Sequence, residues 1–172
     1  MTTVAETIRR RREQVGISPQ EMAKRIWMNA LSYYDLEAVP KEWEEAVELS
    51  QLLELSRILG LRLLDLLGEA EAEVREPLSF AELAVLIRRE IASGRITEDR
   101  IGWDLSEFWE EPMIAMEYPV SFLKIVGEDV GFDWRRPLLY YQRNAEPGAA
   151  PNGGPAALAD NSSITEGPPS VS

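Results

Sequence analysis

The side chains available for chemistry are carboxylates, guanidiniums and amines, because the 172 residues include no histidine and no cysteine. That absence removes zinc fingers, thiol nucleophiles and any serine triad with a histidine base. It removes disulfides too, so the fold must stand on its core. Paired carboxylates occur as Glu110-Glu111 and Glu128-Asp129. Adjacent residues on a helix do not share a face, so these pairs suit acid/base work poorly. No glycine-rich phosphate loop or spaced acidic pattern accompanies them, and Gly153-Gly154 has no strand before it. No enzyme activity, cofactor or metal is therefore expected. The other cluster is the run Arg9-Arg10-Arg11-Arg12. Successive helical residues point about 100° apart, so the four cannot form one patch. Two of them, Arg9 and Arg10, are expected to join Lys24 and Arg25 on a phosphate-facing side. The other reading is a solvated helix face with Glu6 and Glu13 as partners.

Charge bears on that choice. The chain holds 30 acidic and 18 basic residues, for a net −12. Such a balance disfavours a general electrostatic grip on nucleic acid or on anionic membranes. The excess is uneven, at −2 over residues 1–68, −7 over 69–143 and −3 over 144–172. The last stretch is rich in proline and glycine and has no aromatic residue. Burial there cannot offset the entropy of ordering, so it is expected to be disordered. The start lacks a signal pattern and no stretch reaches about 18 apolar residues. A soluble, cytoplasmic protein with no membrane contact is expected.

The elements that must position these residues read as helices. Residues 4–15 carry Val4, Ile8 and Val15 on one side, and Gly16 suits the end of that helix. Ser18, Pro19 and Glu21 make a helix start with a capping box, ahead of an inner face of Met22, Ala23 and Ile26. Asn29 can cap the next helix, with Tyr33 and Leu36 facing in and Pro40 ending the stretch. Residues 42–59 predict one long helix stopped by Gly60, and Leu61 to Leu67 a short one. After a Glu/Ala-rich linker at 69–77, Ser79 and Glu82 form a second capping box. A helix follows with Leu83, Leu86, Ile87 and Ile91 inward, to Gly94. Thr97 starts a short helix, and 105–110 and 119–130 predict two more, the last ending at Gly131. Trp103, Phe108, Trp109, Phe122 and Trp134 are expected in the core.

This punctuation recurs. Gly16 maps to Gly94, Ser18 to Thr97, Pro40 to Pro112 and Gly60 to Gly131. The pattern reads as two degenerate copies of one helical unit. Two unrelated helical segments with glycine stops would also align in this way.

The first copy carries Arg12-Glu13-Gln14-Val15-Gly16, then Ser18, Ala23 and Leu36-Glu37, and closes with LLELSRILGLRLLDLLG at 52–68. In these motifs residues 4–68 resemble a helix-turn-helix domain of the phage-repressor type (Cro/cI, or XRE). The resemblance implies an all-α, lambda-repressor-like bundle of about five helices, followed by a second small helical domain of similar layout. The boundaries expected are 1–68, a linker at 69–77, a second domain at 78–143 and a tail at 144–172.

The resemblance implies a DNA-binding transcriptional regulator acting on double-stranded DNA as a homodimer. Its DNA-facing positions would be Gln20, Lys24, Arg25, Asn29, Ala30, Leu31, Ser32 and Tyr34, with Arg9 and Arg10 on phosphate. Arg12 and Glu37 match the family's internal ion pair, a structural role. The chain departs from the family at Pro19, where glutamine often grips phosphate, and at Trp27, where the tight turn usually has glycine. Base reading is done mostly by Arg, Lys, Asn and Gln, and only Asn29 is of that kind at the front of the third helix. Asn29 can equally be a helix cap. Leu31 and Ala30 fit a thymine methyl or a protein contact, and Asp35 opposes phosphate. The second reading is a repressor-like fold used as a protein-interaction or antitoxin-like module. The acidic second domain, with Glu98, Asp99, Asp104, Glu107, Glu110 and Glu111, would then meet a protein partner.

Overall fold

The computed structural model describes residues 2–40, 43–101 and 103–145. Caps set most helix limits. α1 (Val4–Val15) starts behind Thr3, whose hydroxyl accepts the Glu6 N–H while the Glu6 carboxylate accepts the Thr3 N–H. It stops at Gly16, with φ 73°. α2 (Pro19–Arg25), α3 (Ala30–Ala38), α4 (Trp43–Ala46), α5 (Leu49–Leu59) and α6 (Leu63–Leu66) follow. A 3-10 turn spans Glu71–Glu73, then come α7 (Phe80–Ala92), α8 (Glu98–Ile101) and α9 (Ser106–Glu110). A second 3-10 helix, Pro112–Glu117, leads into α10 (Val120–Val130) and α11 (Arg135–Ala145). The chain is all-α: the described residues form no strand beyond one isolated bridge, Glu48 to Pro119. None of their helices is long and apolar enough to cross a membrane.

Several local expectations need correction. The single helix expected over 42–59 is two helices, α4 and α5. Glu48 is extended between them (φ −65°, ψ 148°), because it pairs with Pro119 while Leu49 donates its N–H to the Tyr118 carbonyl at 3.0 Å. A contact from 70 residues away breaks a helix that local pattern favours. The box at Ser18 is only half made. Its hydroxyl accepts the Glu21 N–H, but the Glu21 carboxylate turns to Arg25 at 3.0 Å. Val15 is exposed rather than inward. α11 has no counterpart among the expected helices, although its apolar residues recur at helical spacing.

Packing joins the two halves. α5 and α10 are each 11 residues long and end at left-handed glycines, Gly60 and Gly131. Their first flanking residues, Glu48 and Pro119, are the two that bridge. α5 packs on the Pro112–Glu117 helix, α10 packs on α4, and α6 packs on α11.

One cluster of buried side chains runs through both halves. Within it α5 contributes Leu49, Leu52, Leu55 and Leu59. Each is worth about 1.5–3 kcal/mol relative to exposure. Tyr33 meets Trp43 edge-on at 6.2 Å, and the Trp43 indole N–H donates to the Leu36 carbonyl at 2.7 Å. Phe108 and Phe122 are fully buried, whereas Trp103, Trp109 and Trp134 are half-buried against the core. The core continues across the linker expected at 69–77, where Val74 is buried. Of the tail expected from 144, Asn144 and Ala145 belong to α11, and residues 146–172 lie outside the described residues.

Glycine is required by a close approach at Gly127 in α10. Its carbonyl accepts the N–H groups of Gly131 and Phe132, and a Cβ there would lie 2.9 Å from the Phe132 carbonyl oxygen.

Candidate functional site

The site expected from the sequence is built on α2, the turn after it and α3. Pro19 opens α2 with the φ a first turn needs, and Ser18 caps it. The helix ends at Ile26, whose carbonyl accepts the side-chain amide of Gln51 from α5 at 3.1 Å. Trp27 then takes φ 55°, and the Met28 N–H returns to the Ala23 carbonyl at 2.8 Å. A left-handed conformation is uncommon for a bulky residue. Asn29 caps α3 through its side-chain oxygen, which accepts the Leu31 N–H at 2.8 Å. Met22, Ala23 and Ile26 of α2 and Tyr33 and Leu36 of α3 are buried between the helices and the core. Burial of these five leaves the opposite faces to solvent.

Beneath the pair lies Arg12. Its guanidinium donates to both Glu37 carboxylate oxygens, at 2.6 and 2.9 Å, and to the Ile17 carbonyl at 2.9 Å. Both side chains are largely removed from water. The hydrogen bonds to Glu37 hold the Arg12 pKa above its ordinary value, against the opposing effect of burial. The Tyr33 hydroxyl lies nearby, buried, with no hydrogen-bond partner among the described residues. Burial, reinforced by the negative Glu37, pushes its pKa far up, so it stays neutral.

The outer faces hold most of the proposed contacts. Gln20, Lys24, Arg25, Leu31, Ser32 and Tyr34 are exposed, and Leu31 is 70% exposed. Ala30 is half-buried and packs on the core. The Gln20 side-chain amide donates to the Tyr34 hydroxyl at 2.6 Å, tying the start of α2 to the middle of α3. Arg25 is held by Glu21. Arg9 and Arg10 are exposed on α1, but among the described residues no hydrogen bond or ion pair joins them to α2 or α3. Arg10 lines a shallow recess with Thr7, Arg11, Gln14 and Leu61 instead. Arg11 turns inward to donate to the Leu59 carbonyl at 2.8 Å. The run of four arginines thus divides into two exposed and two structural members.

Negative charge borders the same surface. Asp35 is exposed on α3, and Glu45 and Glu48 are exposed on the segment after it. Glu44 pairs with Lys124 of α10 at 2.7 Å, and that ammonium also sits 4.7 Å from the centre of the Trp134 ring. In the second half, α8 and α9 expose Glu98, Asp99, Glu107 and Glu110, with Asp104 exposed between them and Glu111 following. Asp104, two residues before α9, accepts the Ser106 N–H at 3.0 Å. That hydrogen bond lowers the Asp104 pKa. No group of His, Cys, Asp or Glu among the described residues is placed to hold a metal ion.

Sequence reasoning missed two features. Gln142, buried on α11, accepts the Leu64 N–H at 2.9 Å. A cleft of about 420 Å³ opens between the halves, with Trp27 and Gln142 on its wall. Both depend on contacts between segments more than 70 residues apart, for which spacing along the chain gives no signal. No family model, curated protein or solved structure matches this chain.

Proposed function

We propose that the protein is a DNA-binding transcriptional regulator of the helix-turn-helix, phage-repressor type, acting in the cytoplasm, with α3 as its recognition helix. The observation that carries this reading is the α2–turn–α3 unit. Its inner residues are buried on a core braced by Arg12 and Glu37, and its outer residues Lys24, Leu31, Ser32 and Tyr34 face solvent. Recognition helices enter the major groove front end first, with the preceding helix crossing the backbone. In that geometry Lys24 and Arg25 would meet phosphate. Leu31 would meet a thymine methyl, and Ser32 a base edge. Tyr34, fixed by Gln20, would position rather than read. Two half-sites would be served by a homodimer. The test is genomic footprinting of the tagged full chain, alongside Lys24→Glu and Arg25→Glu. Enrichment at defined sites in wild type, lost in the charge reversals, is the expected result.

A second reading has its own observation. Trp27, Leu31, Tyr34 and Val39, four large apolar side chains near this unit, are exposed, and Asp35 stands among them. Such a surface fits a protein partner better than a phosphate backbone. Under this reading wild type enriches no DNA, and Leu31→Asp abolishes a protein complex recovered from the native host.

A further inference from the structure

We propose that the cleft between the two halves is a binding site for a small, flat aromatic molecule carrying an anionic group. The cleft has about 420 Å³, within the range of about 300–1,000 Å³ typical of small-molecule sites. Leu53 and Arg57 of α5, Leu61, Met116, Gln142 and Trp27 line it, so α5, the 3-10 helix of the second half, α11 and the α2–α3 turn all contribute. The first half supplies most of the wall, and Met116 and Gln142 of the second half complete it. The site stands whether or not α3 reads DNA.

The interior asks for an apolar ring. Its polar groups are already engaged: the Ser56 hydroxyl donates to the Leu53 carbonyl at 2.7 Å, and Gln142 serves the Leu64 N–H and the Glu71 carboxylate. What remains is aliphatic surface and the indole of Trp27. That indole is 75% exposed, on a residue held at φ 55°. Nothing in the packing of α2 and α3 requires a large ring there, since the turn itself is easiest for glycine. A ring at the lip of an apolar cleft offers a face for offset stacking.

The rim supplies the charge preference. Arg57, Arg62 and Glu54 all line the cleft, and Glu71 stands against Arg62. Arg57 pairs with Glu54. A guanidinium carries five N–H donors, so one carboxylate does not exhaust it. An anionic group leaving the ring toward Arg57 would meet the guanidinium N–H donors that Glu54 does not engage.

The test is a fluorescence titration of the full chain with 1-anilinonaphthalene-8-sulfonate, an aromatic anion of suitable size. The expected result is one saturable site per chain. Trp27→Gly and Leu53→Gln should each weaken it about tenfold or more. Val85→Ser, on the exposed face of α7, should leave it unchanged. Trp27→Gly should melt no lower than wild type, because glycine suits the left-handed turn, so its loss of binding cannot be put down to unfolding. Absence of a saturable site, or equal affinity in Trp27→Gly, overturns the proposal. The uncharged analogue N-phenyl-1-naphthylamine should bind more weakly. Equal binding of the two overturns the anionic preference.

Discussion

Arg12 reaches from the last turn of α1 to Glu37 at the end of α3, with two hydrogen bonds of 2.6 and 2.9 Å and both side chains nearly out of water. Breaking such a pair strands a charge. Glu37→Gln should therefore destabilise the fold by about 3–5 kcal/mol. The double variant Arg12→Met, Glu37→Leu should recover most of that loss, because no charge is left buried. Urea unfolding of the three proteins checks this. A double variant as unstable as the single one would mean that the pair does more than neutralise itself.

Tyr33 provides the opposite case. Its hydroxyl is buried beside that pair and lacks a hydrogen-bond partner among the described residues. Removing an unsatisfied polar atom should not destabilise, and Tyr33→Phe is expected to leave stability unchanged or raise it by about 1 kcal/mol. Thermal unfolding with the ring packing on Trp43 intact is the measurement. A clear loss of stability would show that the hydroxyl is held, for instance by water.

The two halves are pinned where Gln142 accepts the Leu64 N–H in a buried position. Gln142→Leu removes that acceptor and leaves the amide buried. The expected cost is about 1–3 kcal/mol. Native-state hydrogen exchange should show the loss at Leu64 and across α6 and α11 before it reaches α1.

Acid should weaken the start of α11. The Arg135 guanidinium donates to both Asp133 oxygens, at 2.9 Å each, and these bonds hold the Asp133 carboxyl below its ordinary 3.8. A group lowered on folding contributes its stability above the unfolded value and loses it as pH falls through the folded one. The urea midpoint should therefore drop on acidification below about pH 4. Asp133→Asn should lower the midpoint at pH 7, and the gap to wild type should close by pH 2. Glu54, lowered by its bonds to Arg57, adds to the same acid slope in both proteins.

If α3 docks on DNA, the salt dependence must be shallow. At most Arg9, Arg10, Lys24 and Arg25 serve phosphate, and Arg25 is shared with Glu21. Each contact adds about −0.9 to the slope of log affinity against log salt, so a homodimer with four such cations per protomer should show a slope no steeper than about −7. Anisotropy titrations of an enriched duplex at several salt concentrations measure it. A steeper slope would require cations beyond these four.

Much of this protein is legible along the chain because its cues are local. Ser79, Gly16, Gly60 and Gly131 act within one helical turn, through capping hydrogen bonds or a permitted positive φ. The buried faces of α2, α3 and α7 follow from 3.6-residue periodicity. The absence of histidine and cysteine excludes whole classes of chemistry without any structure. The break at Glu48 was not legible, since it is imposed by Pro119, and neither was the partnership of Glu21, which a capping box and an Arg25 ion pair both claim. Tertiary structure alone decided which arginines of the run face solvent, that both halves share one core, and that a cleft remains beside Trp27. Each is a contact between distant segments, and packing energy there overrides the preference of any short stretch of sequence.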